Sequence, residues 1–148
     1  MKESYKICFL GYQGLTEMAR KTIEDMKLSD TEFMLRDCTP DSLREVLDEA
    51  VTAGYEIFIG GGSNYARFKQ ISSMYIQELQ VTEVDYLTAL RKSEAYGHNP
   101  AIVLYKYRQP IDIAVLSQLF GRQVGLLVYE ETGELKDLIE ESNYDVLI

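Results

Sequence analysis

The sequence is short of the residues and patterns that most catalytic, metal-binding and nucleic-acid-binding functions require. It has one histidine, His98, set in a GHNP turn with no neighbouring Ser, Cys or carboxylate to make a catalytic pair. Neither HExxH nor GxSxG occurs, and no cluster of His, Cys, Asp and Glu has metal-ligand spacing, so no catalytic residue, metal or cofactor is expected. Positive charge is scarce: 15 Lys and Arg stand against 24 Asp and Glu, a net charge of −9. Phosphate backbones demand a Lys/Arg surface, which excludes nucleic acid as a direct partner of this chain. The acidic groups spread over helix faces such as 41–50 and 132–142, where they act as solvated surface. There are only two cysteines. Cys8 falls inside an apolar run and Cys38 at the end of another, so both read as free, buried thiols. No apolar run approaches the roughly 18–20 residues of a membrane helix. The start, MKESYKICFLGY, lacks a cleavage site and a long apolar core. These absences point to a cytoplasmic protein with no membrane partner.

Strand and helix signals alternate from one end to the other. Apolar or β-rich runs at 6–12, 31–38, 55–59, 74–81, 101–107, 123–130 and 144–148 predict strands. Between them, residues 14–28 place Leu15, Met18, Ala19, Ile23 and Met26 at helical spacing. Helices are also predicted at 41–53 with Asp41 as N-cap and Gly54 as C-cap, at 63–71, at 82–97 with Thr82 and Gly97 as caps, at 110–121 with Pro110 in the first turn, and at 132–143. Strict alternation means parallel strands with right-handed crossovers. No Pro/Ser/Gly-rich linker interrupts it. The order strand, helix, strand, helix, strand occurs twice, ending once in GYEIFI (54–59) and once in NYDVLI (143–148). The expected fold is therefore α/β: two flavodoxin-like or Rossmann-like βαβαβ lobes with parallel sheets in three α/β/α layers. Lobe one takes residues 1–80, lobe two takes 81–148 and is truncated at its C-terminus, and a hinge falls near Val81 and Thr82.

A βαβαβ unit makes its ligand site at the carboxyl ends of its strands. The most telling loop is GGGSN: Gly60, Gly61, Gly62, Ser63 and Asn64. Glycines permit positive φ and close approach of a ligand, and the amides opening the next helix favour an anion such as a carboxylate or phosphate. The stretch lacks the Lys-Ser/Thr of a P-loop, and GYQGLT lacks GxGxxG, which argues against nucleotide hydrolysis and dinucleotide binding. Lys106, Tyr107 and Arg108, in the loop YKYRQ (105–109), could pair with an anionic ligand. Tyr12 and Gln13 could hydrogen-bond a small molecule, and Asp85 is a candidate site or hinge residue. Each also has an ordinary structural reading: a tight turn, solvated charges on a strand tip, loop packing, and a charge suited to a helix N-terminus.

The stretch 54–107 carries a resemblance. It is similar to the N-terminal sensor domain of the propionate catabolism activator (PrpR) group, found in bacterial sigma-54-dependent regulators of the NtrC type. The family pattern runs a strand into an Arg-Gly-Gly-Thr-like turn, here Gly60-Gly61-Gly62-Ser63. After another strand comes a Val-Ser-Gly-Phe/Tyr-Asp motif followed by an Arg-Ala-Leu-like sequence, here residues 81–90 with Asp85 in the acidic position. A strand usually ending in Val-Gly-Tyr is matched by Leu104 to Tyr107. The usual arginine of the turn is Gly60 here, so tricarboxylate recognition, implied for propionate-pathway members, is not carried over. The family domain also continues past a strand like 144–148 into a further glycine turn, so this chain is expected to be part of a longer polypeptide. The resemblance implies an effector-sensing domain that binds a small anionic metabolite between its lobes and signals to an attached ATPase. It implies that the full regulators assemble, with a homodimer as one state, and that DNA and RNA polymerase are met only through other domains. The alternatives left open are a racemase or transferase using Cys38, and a receiver-like interaction domain. The second lacks its acceptor: a receiver needs an acidic cluster after the first strand and Asp ending the third, where this chain has Gly11-Tyr12-Gln13 and Gly60.

Overall fold

A computed structural model describes residues 4–108 and 110–148. The chain divides into two units, Met1–Gln80 and Val81–Ile148. The first is built from β1 (Tyr5–Gly11), α1 (Gly14–Met26), β2 (Thr31–Asp37), α2 (Leu43–Thr52), β3 (Ile57–Gly61), α3 (Gly62–Ile71) and β4 (Tyr75–Leu79). Its four strands are all parallel, in the order β2-β1-β3-β4. The second contains α4 (Glu83–Ser93), β5 (Pro100–Tyr105), α5 (Ile113–Phe120), β6 (Gly125–Tyr129), a 3-10 turn (Thr132–Glu134), α6 (Leu135–Glu141) and β7 (Val146–Leu147). Its strands are also parallel, in the order β6-β5-β7. In both units the first strand of the βαβαβ is central, the second pairs on one side and the third on the other. The likeness of GYEIFI and NYDVLI therefore reflects equivalent strands, β3 and β7.

Side-chain alternation sorts the layers. Cys8 and Leu10 of β1, Phe58 of β3 and Ile76 of β4 share one face and pack with Leu43, Leu47 and Ala50 of α2 and Phe68 of α3. The Phe58 and Phe68 rings lie 5.0 Å apart and tilted, and both are fully buried. Burying aromatic side chains of this size stabilises by about 2–3 kcal/mol each, which makes them the anchor between sheet and helix. The other face, with Ile7, Phe9, Phe33 and Ile59, carries α1. In the second unit, Ile102 and Leu104 of β5 pack with Tyr86 and Leu90 of α4 and with Leu116 and Phe120 of α5.

Helix ends depart from the sequence expectation at three places. Helix α2 starts at Leu43 with Ser42 as N-cap, not Asp41, because Thr39 to Ser42 close a turn in which the Ser42 hydroxyl accepts from the Thr39 amide at 3.0 Å. Helix α4 ends at Ser93, four residues before Gly97. Gly97 is there for space: a Cβ would sit 2.4 Å from Val146 and 2.6 Å from the Asp145 carboxylate. Helix α5 starts at Ile113, after Pro110, because the Asp112 side chain caps it by accepting from the Val115 amide at 3.0 Å. Gly121 closes the same helix at φ 83°, a left-handed conformation that glycine reaches without strain.

Candidate functional site

The carboxyl ends of β1, β2 and β3 meet at one edge of the first unit. Registers place Gly11 opposite Asp37 and Leu10 opposite Gly60. From this edge β3 passes into α3 with no intervening loop. Gly61, extended at φ −138°, is the N-cap, and Gly62, at φ 56°, is the first helical residue. The glycines have separate reasons. A Cβ on Gly61 would lie 2.8 Å from the Leu79 carbonyl oxygen, so β4 itself demands glycine there. Gly62 takes a left-handed φ, yet a Cβ there would meet nothing within 4 Å, so the space beside the turn is open. Gly60 is buried, with ordinary contacts of 3.4–3.6 Å around a Cβ position.

No side chain caps α3. The half-buried Ser63 is its second residue and the buried Asn64 its third. The Asn64 Nδ2 donates to the Cys38 carbonyl at 2.9 Å, and the Cys38 amide donates to the Gly11 carbonyl at 2.9 Å. These two bonds tie the ends of all three strands together. Beside them the buried Thr16 hydroxyl donates to the Asp37 carboxylate. The Asn64 Oδ1 is buried and has no partner among the described residues. An uncapped helix start with its positive dipole end, reached through glycine beside open space, can hold an anion with backbone N–H groups alone.

Tyr12 and Gln13 follow β1 and are exposed, with the Gln13 Nε2 donating to the Tyr12 hydroxyl at 3.2 Å. Gln13 is the N-cap of α1 at φ 41° and ψ −110°, an uncommon conformation for a residue with a side chain. Both are thus on the same edge of the first unit as the α3 start.

The remaining expected site residues belong to the second unit, where each is already engaged. The Lys106 ammonium donates to Glu130 at 2.7 Å, and the Tyr107 hydroxyl donates to the same carboxylate. These bonds hold the Glu130 carboxyl below the ordinary carboxylate range, chiefly through Lys106, and raise Lys106. Arg108 donates to the Tyr86 hydroxyl and lies over that ring, 5.6 Å from its centroid. Gln109, the last residue of the expected loop, lies outside the described residues. Asp85 forms a capping box with Thr82: the Thr82 amide donates to the Asp85 carboxylate at 2.8 Å and the Asp85 amide to the Thr82 hydroxyl at 3.4 Å. Hydrogen bonds from the Thr82 backbone and then its side chain keep the Asp85 carboxyl below its usual value.

The chemistry of the thiols follows from burial. Cys38 is pushed up to about 12 and Cys8 to about 11, in both cases first by loss of solvation. Near neutrality both remain protonated thiols, a poor state for nucleophilic attack. Among the described residues no group of three or more His, Cys, Asp and Glu is placed to hold a metal ion.

Two hollows elsewhere on the first unit fit a metabolite less well. One, of about 410 Å³, lies beside α1 between Ile7, Phe9, Met18 and Leu79, and its lining is almost wholly apolar. The other lies at the amino ends of β1 and β3, around Lys6, Gly54 and Glu56, the end where α/β sheets do not bind ligands. Sequence reading missed the Asn64–Cys38–Gly11 tie, which joins residues far apart in the chain. It also missed the clamp at 97–99, where the Asp145 carboxylate accepts from the His98 amide at 3.0 Å and the Asn99 amide at 2.7 Å.

Residues 27–146 match the family model described as propionate catabolism activator, the PrpR N-terminal domain. No curated protein matches the sequence. Among solved structures, an NtrC family transcriptional regulator from Clostridium acetobutylicum superposes with TM-score 0.74 at 16% identity, over 93% of this chain and 72% of that one. That likeness shows the fold. A putative branched-chain amino acid ABC transporter from Chromobacterium violaceum gives TM-score 0.46 at 15% identity, over 97% of this chain and 59% of that one. Among the described residues no helix is long and apolar enough to cross a membrane.

Proposed function

The chain belongs to the propionate catabolism activator N-terminal domain family, whose role is regulatory, and on that premise we propose that it senses a small anionic metabolite at the start of α3. The observation that carries the reading is that uncapped start, opened by Gly61 and Gly62 beside empty space. The ligand is a carboxylate or phosphate held by the amides of Gly62 and Ser63, with Gly60 and Asn64 shaping the floor and Tyr12 and Gln13 within the same edge. Binding stabilises the arrangement of this edge by its differential contacts, and the signal passes to an ATPase and DNA-binding region of a cytoplasmic NtrC-type regulator. Lys106, Tyr107 and Arg108 are a separate set within the second unit, where a ligand would have to replace Glu130 and Tyr86 as their partners. Asp85 contributes by fixing the start of α4 rather than by offering a free carboxylate.

The racemase or transferase reading is disfavoured by the protonated, buried state of Cys38. A thermal-shift panel of organic acids and sugar phosphates tests the proposal. At least one anion should stabilise the chain in proportion to the logarithm of its concentration. A panel in which no anion shifts the transition overturns the sensor reading, and turnover of any panel member that disappears in Cys38→Ala replaces it with the enzymatic one.

A further inference from the structure

We propose that two copies of this chain associate through α5 of the second unit, the two helices lying antiparallel across a two-fold axis at the level of Ser117. Val115 of one copy then meets Leu119 of the other, and Asp112 of one meets Arg122 of the other. The proposal is independent of the anion site at α3.

Helix α5 reads IAVLSQLF, and of the six α-helices it alone carries no charged side chain. The chain around it is 26% charged, with a net charge of −9. A helix apolar on every side is ordinarily covered on every side. Here only the inner side is covered: Leu116 and Phe120 pack with Ile102 and Leu104, while Val115 is 43% and Leu119 54% exposed. Those two lie four residues apart and so form one ridge along the helix. Charges of opposite sign bound the ridge, Asp112 three residues before Val115 and Arg122 three residues after Leu119, with no charge between them. This spacing of three, four and three is the same read from either end. An antiparallel copy therefore sets apolar on apolar and brings each Asp112 to an Arg122, the self-complementarity of an isologous interface. Both end groups are placed to take part. The Asp112 Oδ1 accepts from the Val115 amide at 3.0 Å, and its Oδ2 has no partner among the described residues. The Arg122 Nη2 donates to Glu94 at 2.6 Å and the guanidinium lies 5.3 Å from the Phe120 centroid, which fixes the head beside the helix end with 40% of the side chain exposed. Two acidic chains repel over most of their surfaces, and an uncharged ridge with paired ends is where they meet at least cost.

The test is sedimentation velocity on the whole chain over a concentration series, with folding of each variant checked by circular dichroism. Two apolar side chains a copy make a small core beside the roughly 800 Å² per partner of a stable interface, so the wild-type dimer should be weak, half associated at roughly 0.1 mM. Leu119→Asp should remain monomeric throughout. Arg122→Glu and Asp112→Lys each set like charges together at both ends, and each alone should associate at least about tenfold more weakly than wild type. Mixed in equal amounts they should recover the wild-type association, because every contact in the mixed pair is again between opposite charges. That recovery belongs to the antiparallel arrangement alone: a structural role for either residue would leave the mixture as weak as its parts. A wild-type chain that stays monomeric at roughly 1 mM overturns the proposal, and this arm needs no variant. Undiminished association of folded Leu119→Asp overturns it too, by placing the contact elsewhere, and a mixture of the two folded charge variants that stays monomeric refutes the two-fold pairing.

Discussion

Placing a carboxylate at position 63 separates a helix start that is only structural from one that holds an anion. Ser63 is the second residue of α3, half-buried, with no capping side chain ahead of it. Taken alone, Ser63→Asp should stabilise the empty protein by about 0.3–1 kcal/mol, because a negative charge in the first turn complements the dipole. A bound anion on the same amides would then lie roughly 5 Å from the new carboxylate. At an effective dielectric constant of about 20 the repulsion is about 3 kcal/mol, or a loss of roughly 200-fold in affinity. An anion at 100 times its Kd stabilises the wild-type chain by about 2.7 kcal/mol, and the variant at the same concentration by only about 0.2 kcal/mol. The assay is a pair of urea titrations, with and without the best anion of the panel, on wild type, Ser63→Asp and Ser63→Lys. The expected pattern is crossed: Asp more stable when empty and unresponsive to ligand, Lys less stable when empty and more responsive. Unchanged affinity in Ser63→Asp would refute the placement of the ligand at α3.

Three further outcomes follow from the geometry. Among the glycines, Gly61→Ala should cost about 1–3 kcal/mol because Leu79 backbone blocks its Cβ, Gly62→Ala about 1–2 kcal/mol for its left-handed φ, and Gly60→Ala least, as read from urea midpoints. Both thiols should resist a disulfide reagent at pH 8 in the folded chain and react promptly in urea. Because their folded values are raised to about 11 and 12, the unfolded chain releases protons first, so stability should fall as pH rises above about 9; rapid native labelling of Cys38 would contradict this. In acid the sign reverses for Asp145, held below its usual value first by the His98 amide and then by the Asn99 amide. Its contribution is present above about pH 4 and lost below, so Asp145→Asn should flatten the acid limb of the stability curve of the second unit.

Much of this architecture was readable along the chain because alternation of strand and helix is a local signal. The repeated βαβαβ order and the parallel pairing it implies need no long-range information beyond the handedness of crossovers. Helix ends were less legible, and for different reasons. Ser42 takes the N-cap role from Asp41 through a turn closed with Thr39, a choice among neighbouring polar residues that propensity ranks almost equally. Gly97 imitates a helix cap in sequence, whereas its cause lies almost fifty residues away in Asp145 and Val146. At the site, the glycine run announced a special backbone. The division of labour among the three glycines did not show, since it depends on where β4 passes. Lys106 looked free because its partner, Glu130, is 24 residues distant, and the unsatisfied oxygen of Asn64 has no signature in sequence.

The clamp that joins residues 97–103 to 143–148 bears on how the polypeptide acquires its shape during synthesis. All four strands of the first sheet are in hand once residue 79 has emerged, so that sheet can form while the ribosome is still translating. The second sheet must wait. Its central strand has one neighbour by residue 129 but gains the other only with Val146 and Leu147, and the Val103 amide finds its acceptor only in the Ile148 carbonyl, at 2.8 Å. Until residues 146–148 are translated, β5 presents an open hydrogen-bonding edge rich in Ile, Val and Leu, the kind of edge that invites pairing with another nascent chain. A message broken or stalled just before the codons for residues 146–148 would thus yield a sound first unit joined to an adhesive second one.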